Sequence, residues 1–450
     1  MKTPPSQFLS DYGIVLALLI LCGYFSWVTF DWQHPNGTPA AQPLAEELIR
    51  NFPAGTRVLI AAPEGQDDVE FAHSLANRLR NAGFLVVETI TGQPALARQA
   101  LERLARAENP PHLIACNHTS AGWGVFENLG VKFPELASAS LVTPRTHRWP
   151  SFLKMDNLLN IANQIAVIAI IAIGMTMVII TAGIDLSSGS LIALSAVVST
   201  LLIRDFAGAE NASAIGMLLS CLAGIALCGA VGCFSGFMVA VVGIPAFIAT
   251  LGMMLVASGL AFIVAQGQSI YQVPDTFVWL GRGANLAVPN AVLLMLALYA
   301  LAHVMMSRMA LGRYIYAVGG NPEAARLSGV PIKSVLIFVY TLSAMLAGVG
   351  GIVMASQLKS GAPTYGGMYE LYVIAAVVVG GTSLSGGEGK VLGTLIGAFI
   401  IAVIQNGMNL TGVESYTQKV VLGLVILGAV LLDMLKRKRW NVKRWFGRSA

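Results

Sequence analysis

The sequence predicts an all-α polytopic membrane protein of about ten transmembrane helices, plus a small soluble α/β domain inserted after the first helix. Three observations predict this fold. The chain is 55% apolar and only 11% charged, whereas a soluble globular chain carries roughly 25% charged residues. Apolar runs long enough to cross a bilayer, roughly 17–25 residues, recur along the chain. Residues 31–150 differ from the rest because short apolar strands alternate there with amphipathic helices.

Ten apolar runs have the length expected of a membrane span. They cover approximately residues 12–30, 160–182, 187–203, 213–233, 246–266, 288–306, 334–356, 371–387, 390–410 and 416–434. The first run follows a short polar lead and precedes no small-residue cleavage site, so we interpret it as an uncleaved helix rather than a signal peptide. The chain then divides into residues 1–30, 31–150, 151–435 and 436–450, with a predicted cytoplasmic loop at 307–334.

The distribution of basic residues predicts the orientation in the membrane. Residues 436–450 contain seven Lys or Arg and no acidic residue, and basic residues beside a span remain in the cytoplasm. We interpret this tail as a cytoplasmic anchor rather than a nucleic-acid patch. With ten spans the N-terminus is also cytoplasmic, and residues 31–150, which carry ten basic and twelve acidic residues, are extracytoplasmic.

The inserted segment is predicted to contain a parallel β-sheet. Its sequence alternates strands and helices, and such alternation gives a parallel sheet with right-handed crossovers. The predicted elements are strands at 57–64, 84–92 and 112–119 and helices at 67–83 and 94–108. His118, Asn117 and Thr119 follow a strand and could line a ligand pocket, but we favour a folded accessory module that contacts another protein.

Two breaks rich in glycine and serine interrupt the apolar runs: "GIDLSSGS" (183–190) and "GGTSLSGGEG" (380–389). Non-helical backbone at membrane depth is tolerated when it is buried in protein or lines a wet cavity. Asp185, in the first break, is an ionisable residue within the apolar region and therefore a candidate functional residue. It could also cap a helix that starts at Leu186. Both roles are retained as hypotheses.

The loop "LGRYIYAVGGNPEAARLSGVPIKS" (311–334) is predicted to contain a short cytoplasmic helix. Asn321 is a good N-cap, and Pro322 suits the first helical position. Glu323 favours the N-terminal dipole, and Gly329 can end the helix in a left-handed turn. A helix of about two turns is unstable alone in water, so we expect it to rest on a partner or on this protein's own helices.

Four motifs in order resemble the ABC-transporter permeases for monosaccharides, the ribose/galactose/xylose importer branch. They are "NLLNIANQIAVIAIIAIGMTMVIITAGIDLSSGSLIALSAV" (157–197), "GIPAFIATLGMM" (243–254), "GRYIYAVGGNPEAARLSGV" (312–330) and "GGTSLSGGEGKVLGTLIGA" (380–398). The resemblance covers roughly residues 8–30 and 152–438. It implies a multi-pass subunit of the bacterial inner membrane that moves a small sugar by alternating access.

The resemblance also implies partners. They are cytosolic ABC ATPase subunits, an extracytoplasmic solute-binding protein and a second permease copy, all in a lipid bilayer and without nucleic acid. It suggests that the short loop helix couples to the ATPase, through Asn321, Pro322, Glu323, Ala324, Ala325, Arg326, Leu327 and Gly329. The insertion at 31–150 departs from the family, since members run from the first span almost directly into "FL…DNLLNI".

A neutral sugar needs hydroxyl and amide groups along its path rather than charge. The candidates for this path are Asp185, Ser187, Ser188, Ser190, Asn163, Gln164 and Asn406, with Asn160, Gln405 and Asn409 as further lining residues. For each residue singly, hydrogen bonding between helices is the more common role of such a group.

No catalytic constellation, metal-ligand spacing or phosphate-binding loop is visible in the sequence, so we expect no cofactor and expect ATP hydrolysis in a partner. Two alternatives remain. The chain could be a membrane-anchored receptor or enzyme that acts through its α/β domain, or it could be an ion-coupled carrier or channel. A permease for another small polar solute is a variant of the monosaccharide permease hypothesis.

Overall fold

The computed structural model describes residues 5–106 and 110–446. The described chain forms two compact units, one made of residue 30 to residue 151 and the other of the segments on either side. We call these the insertion unit and the helical unit. Residues 107–108 of the predicted helix 94–108 and residues 447–450 of the basic tail lie outside the described residues.

The chain opens with helix α1 (Pro5–Val28) and then enters the insertion unit. The strands of this unit are β1 (Phe30–Gln33), β2 (Arg57–Ala62), β3 (Leu85–Thr91), β4 (Leu113–Cys116), β5 (Ser140–Val142) and β6 (His147–Pro150). Its helices are α2 (Gly37–Asn51), α3 (Gln66–Asn81), α4 (Pro94–Ala105), α5 (His118–Ala121) and α6 (Leu129–Lys132).

Four strands of the insertion unit form a parallel sheet in the order β3-β2-β4-β5. Alternate residues of β2 supply its two faces. Val58 and Ile60 pack in one apolar cluster with α2 and α3, whereas Leu59 and Ala61 pack in another with α4. Burial on both faces explains why β2 is a continuous apolar run. β1 and β6 pair antiparallel where the chain enters and leaves the unit.

Two elements of this unit are absent from the sequence prediction. Helix α2 and strand β5 were not predicted, because Gly37–Asn51 contains Pro43 and β5 is only three residues long. Helix α3 has Gly65 at its N-cap and no side-chain cap. Its Asp67 and Asp68 instead lie in the first turn, where a carboxylate is favoured by the helix dipole.

The helical unit continues after the insertion with eleven described helices. They are α7 (Met155–Ile180), α8 (Ser188–Asp205), α9 (Ala214–Phe237), α10 (Ala246–Val264), α11 (Asn290–Arg308), α12 (Ala310–Gly320), α13 (Pro322–Leu327), α14 (Ile332–Leu358), α15 (Tyr369–Val379), α16 (Val391–Leu410) and α17 (Ser415–Phe446). A π-helical turn, Met238–Val242, extends α9. A two-stranded hairpin, β7 (Ala284–Asn285) and β8 (Val288–Pro289), precedes α11.

Seven helices of the described chain are long and apolar enough to cross a membrane: α7, α8, α9 with its π turn, α10, α11, α14 and α16. Three shorter apolar helices accompany them: Gly13–Val28, Tyr369–Val379 and Ser415–Leu431. The eighth predicted span, 371–387, is wrong in length because α15 ends at Val379, before the second glycine-serine break. The chain is therefore a polytopic membrane protein.

Helix α7 lies at the centre of the helical unit. Every residue from Ile165 to Ile180 is buried, as expected of a helix that is apolar on all sides. Neighbouring helices approach it closely where one partner is small; a Cβ atom at Gly174 would overlap Ser343 of α14. Gly232 and Gly397 likewise face the backbones of α14 and α15, and small residues of this kind let membrane helices pack closely.

Candidate functional site

The first break, between α7 and α8, is organised by the buried carboxylate of Asp185. Its Oδ1 accepts hydrogen bonds from the backbone N–H of Ser187 at 3.0 Å and from the Ser187 hydroxyl at 2.6 Å. An aspartate that bonds the backbone two residues ahead forms a tight turn. Asp185 therefore shapes the turn that leads into α8.

The same carboxylate reaches a third helix. Its Oδ2 accepts a hydrogen bond from the Ser343 hydroxyl of α14 at 3.0 Å, and Asp185 is only 2% exposed. A buried carboxylate is tolerated when hydrogen bonds replace its lost hydration, and the two serines provide them. The prediction that Asp185 caps a helix starting at Leu186 is wrong, because α8 begins at Ser188 with Ser187 as its N-cap residue.

The other serines of this break bond to its own backbone. The Ser190 hydroxyl donates to the Ser187 carbonyl at 2.8 Å, and the Ser188 hydroxyl lies 3.5 Å from the Asp185 carbonyl. Ser187 and Ser188 are at most 2% exposed. These groups, predicted as path-lining residues, face protein in this structure and fix the shape of the turn.

The second break packs against helix α12 and against the end of α7, just before the first break. The backbone N–H of Gly387 donates to the carbonyl of Ile180, the last residue of α7, at 2.8 Å. The Tyr316 hydroxyl of α12 donates to the Gly389 carbonyl at 2.8 Å. A Cβ atom at Gly319 would overlap the Ile180 carbonyl oxygen and approach Gly387. The second break and α12 thus meet at the last residue of α7.

The short helix α13 follows α12 directly. The Asn321 side chain accepts a hydrogen bond from the backbone N–H of Ala324 at 3.0 Å, as the predicted cap requires. Arg326 and Glu323 form an exposed ion pair at 2.7 Å. Gly329 ends the helix with a φ of 80°. Ala325 is buried, whereas Leu327 is 84% exposed, so α13 presents a large apolar side chain outward.

A cavity of about 270 Å³ lies in the helical unit, beside the N-terminal half of α7. Four helices, α7, α14, α15 and α16, supply its walls. The lining residues are Ile161, Gln164, Ile165, Ile168, Met354, Gln357, Leu358, Tyr369, Tyr372, Ala402 and Gln405. None of these described side chains is charged. Three amides and two phenols give the cavity its polar groups.

The predicted path residues divide around this cavity. Gln164 and Gln405 line it, and the Gln164 amide N–H donates to Asn160 Oδ1 at 3.3 Å. Asn406 instead exchanges two amide hydrogen bonds with Asn157, at 2.9 and 3.0 Å, and joins α16 to α7. Asn409 accepts a bond from Gln418. The sequence alone could not distinguish these groups.

Three polar lining residues were missed from the sequence. Tyr369 and Tyr372 stand three residues apart at the start of α15, a spacing that places both on one helix face. Gln357 is a lone amide near the end of the apolar run of α14. The only signal for these residues in the sequence was a polar side chain near the end of a predicted span. Polar residues such as Asn406 and Asn409 also occur in spans without lining the cavity, so this signal does not identify lining residues.

The polar groups at the sheet edge of the insertion unit bond to one another. Asn117 is 1% exposed, and its Oδ1 accepts bonds from the backbone N–H and the hydroxyl of Ser120, each at 2.9 Å. Asn36 donates to Asp68 Oδ1 at 2.6 Å. The ring of His118 lies 4.6 Å from that of His34. Thr119 is exposed. This cluster ties the loops of the unit together.

No group of three or more His, Cys, Asp or Glu side chains in the described part of the chain could hold a metal ion. Cys116 is buried beneath the sheet edge of the insertion unit. Burial raises the pKa of its thiol to about 12, although a hydrogen bond with Ser120 opposes this shift. The thiol therefore stays protonated and unreactive at neutral pH.

Comparison with known proteins matches the helical unit. The family described as branched-chain amino acid transport system / permease component matches residues 157–430. The ribose import permease protein RbsC of Escherichia coli K12 is 45% identical over 292 residues, which are 64% of this chain and 88% of the relative. RbsC of Bacillus subtilis 168 is 41% identical over 316 residues, or 70% and 94%.

A third relative is the D-allose transport system permease protein AlsC of Escherichia coli K12. It is 35% identical over 287 residues, which are 64% of this chain and 86% of the relative. No solved structure matches the chain at a significant level. The matches to these relatives leave about a third of the chain unmatched, roughly the length of the insertion unit.

Proposed function

The chain belongs to this permease family, and from that premise we propose that it carries a monosaccharide as the membrane-spanning subunit of a binding-protein-dependent ABC importer. It is a transport subunit rather than an enzyme. The observation that carries the choice of solute is the uncharged cavity beside α7, with its amide and phenol groups.

The chemistry of the cavity favours a sugar over an amino acid. The family description names branched-chain amino acids, whereas the relatives are named for ribose and allose. A zwitterionic amino acid loses the hydration of two charges on entry, and this needs charged or strongly polar partners. The described lining offers amides and phenols, which suit neutral hydroxyl groups. The rings of Tyr369 and Tyr372 can pack against the apolar face of a sugar ring.

The contacts of α12 support a mechanism of alternating access driven from the cytoplasm. A force applied at α13 passes to α12, which packs on the end of α7 through Gly319 and on the second break through Tyr316. Gln164 of α7 and Gln405 of α16, the helix after the second break, both line the cavity. Tilting these two helices changes the shape of the cavity and opens it to alternate sides.

The proposed partners follow from this mechanism. Cytosolic ATPase subunits bind α13 through the exposed Leu327 and the Glu323–Arg326 pair. An extracytoplasmic binding protein delivers the sugar, and a second permease copy completes the pathway. Helices α9 and α10 are the least buried candidate spans of the described chain, so their apolar faces are available to lipid or to that second copy.

The proposed topology has ten spans, comprising the seven long helices and the three shorter apolar ones. Both termini are cytoplasmic, since the basic tail remains inside. The insertion unit is then extracytoplasmic, and we propose that it is an accessory module that contacts the binding protein or another protein. Uptake after deletion of residues 36–146 tests whether this unit takes part in transport.

The experiment that tests the solute is an uptake assay. Cells express the chain with the ATPase and binding protein that co-purify with it, and uptake of labelled pentoses, hexoses and leucine is compared. We expect uptake of one or more monosaccharides and its loss in Gln405→Leu, while Gln268→Leu, at an exposed position outside the cavity, retains it. Uptake of leucine without any sugar would refute the proposal.

A further inference from the structure

The segment from Ile270 to Gly283, between α10 and α11, is fastened to the last turn of α14. We call this segment the strap. Ile270 exchanges backbone hydrogen bonds with Gly361, at 2.8 and 2.9 Å. The Ser356 hydroxyl of α14 donates to the Phe277 carbonyl at 2.6 Å and accepts from the Gly281 N–H at 2.8 Å. Three points of attachment thus hold the strap along its length.

Glycine at position 281 permits the closest of these contacts. A Cβ atom there would overlap the backbone of Ser356 and Gln357. The backbone of the strap therefore lies directly on the backbone of α14. Any side chain larger than hydrogen at this position must push the two segments apart.

Gln357 connects the strap to the cavity. Its backbone carbonyl accepts a hydrogen bond from Arg282 Nε at 2.6 Å, and its side chain lines the cavity. The Gln357 Nε2 group donates to the Asn163 carbonyl at 3.0 Å. The Asn163 Nδ2 group in turn donates to the Gly281 carbonyl at 3.3 Å. Strap, α7 and α14 therefore form a closed ring of hydrogen bonds.

Two asparagines, the partly buried Asn163 and the buried Asn290, hold the strap by its carbonyls. Asn163 bonds to Gly281 and Asn290 bonds to Trp279, the latter at 2.7 Å. The amide oxygens of both asparagines are buried without a hydrogen-bond partner among the described residues. Buried acceptors without partners are unfavourable. The two unpartnered amide oxygens therefore offset part of the stability that the ring of hydrogen bonds gives to the strap. A modest perturbation should therefore release it.

We propose that the strap positions Gln357 to bind a hydroxyl group of the transported sugar, with Arg282 and Asn163 as positioning residues. One N–H of the Gln357 amide donates to the Asn163 carbonyl and so orients the side chain, and its Oε1 atom is the acceptor for a hydrogen bond from a sugar hydroxyl. Releasing the strap frees the last turn of α14 and removes this acceptor. The inference rests on the proposed function, since it names a residue that holds the proposed substrate.

The test measures equilibrium binding of D-ribose and D-allose to the purified full-length chain in lipid nanodiscs. Binding to this chain alone excludes effects of the binding protein and the ATPase. We expect Arg282→Ala and Gly281→Ala to raise Kd about fivefold, the loss of roughly one neutral hydrogen bond. Gly259→Ala, at a glycine of α10 with open space around it, is the matched control, and Arg282→Lys should recover part of the affinity.

A double-mutant cycle separates positioning from a direct effect. Gln357→Leu should raise Kd by a similar factor, and Arg282→Ala in that background should have no further effect. Hydrogen exchange of residues 350–360 in the same nanodiscs reports release of the strap without any substrate. Faster exchange with unchanged Kd, or additive effects of the two substitutions, would overturn the proposal.

Failure of the proposed function gives a different result. If neither sugar binds the unaltered chain while Arg282→Ala still accelerates exchange at 350–360, the strap and α14 are coupled but the sugar site is wrong. That outcome overturns both the solute assignment and the role of Gln357. Unchanged exchange in Arg282→Ala and Gly281→Ala would instead show that the strap does not hold α14.

Discussion

Asp185 Oδ2 accepts a hydrogen bond from the Ser343 hydroxyl at 3.0 Å, which joins the turn between α7 and α8 to the middle of α14. The two residues are 158 positions apart in the chain, and both are buried. The bond between these two helical segments thus gives the carboxylate of Asp185 a structural role within an apolar stretch. The predictions below follow from this contact and from the packing around it.

Replacing Asp185 with asparagine should destabilise the helical unit. The amide keeps one acceptor oxygen for Ser187 but places an N–H group where Oδ2 accepts from Ser343, and leaving a buried donor unsatisfied costs about 1–3 kcal/mol. Ser343→Ala should cost less, and the two effects should be non-additive. The measurement is thermal unfolding in detergent, with Ser190→Ala as a control because its hydroxyl bonds within the break. Additive effects would show that the two side chains act independently.

Gly319→Ala should abolish transport, because its Cβ atom would overlap the Ile180 carbonyl and separate α12 from α7. Gly320→Ala is a matched control, since a Cβ atom at this adjacent position meets nothing within 4 Å. Alanine is also favoured over glycine in a helix by about 1 kcal/mol. Uptake and expression level are measured for both. Equal uptake by the two variants would exclude a role for this packing.

Leu327→Glu should weaken co-purification with the ATPase while leaving the unfolding temperature of the chain unchanged. Leu327 is 84% exposed, so a charge there disturbs a partner surface but not the protein's own core. Asn321→Ala, which removes the helix cap, should cost about 1 kcal/mol and have a smaller effect on co-purification. Retention of the ATPase by the Leu327 variant would place the docking surface elsewhere.

Cys116 should resist alkylation in the folded protein. Burial raises the pKa of its thiol to about 12, so the thiolate, which is the reactive form, is scarce at pH 7 and becomes abundant only as the pH approaches that value. Mass-spectrometric mapping after maleimide treatment should find Cys116 modified only in denaturant. Modification under native conditions would mean that the insertion unit opens locally.

Several features could be predicted from residues near one another in sequence. Asn321, Pro322 and Gly329 specified the start and the end of the short loop helix, because capping depends on a few adjacent residues. The strands around Leu59 and Ile114 were visible as short apolar runs bounded by turns. Gln164 and Gln405, chosen because a path for a neutral sugar needs amide groups, both line the cavity.

The remaining features depended on long-range packing. Whether Asn406 faced a cavity or Asn157 could not be decided from its own neighbours, since both environments suit an amide. The prediction that Asp185 caps a helix starting at Leu186 was wrong because α8 begins at Ser188, and the bond from Ser343, far along the chain, was not visible in the sequence. The short length of α15 was also missed, because the predicted span 371–387 extended into the second glycine-serine break, whereas the helix ends at Val379.

By itself, the sequence determined that this chain is a polytopic membrane protein of the permease family, because apolar length and local motifs are properties of contiguous residues. The tertiary structure decided which polar groups face one another and which face a cavity. Helices that cross a membrane bury their backbone bonds internally, so the choice among partners is left to side chains on distant segments. Asp185, Gln357 and Gly319 acquire their roles only through those contacts.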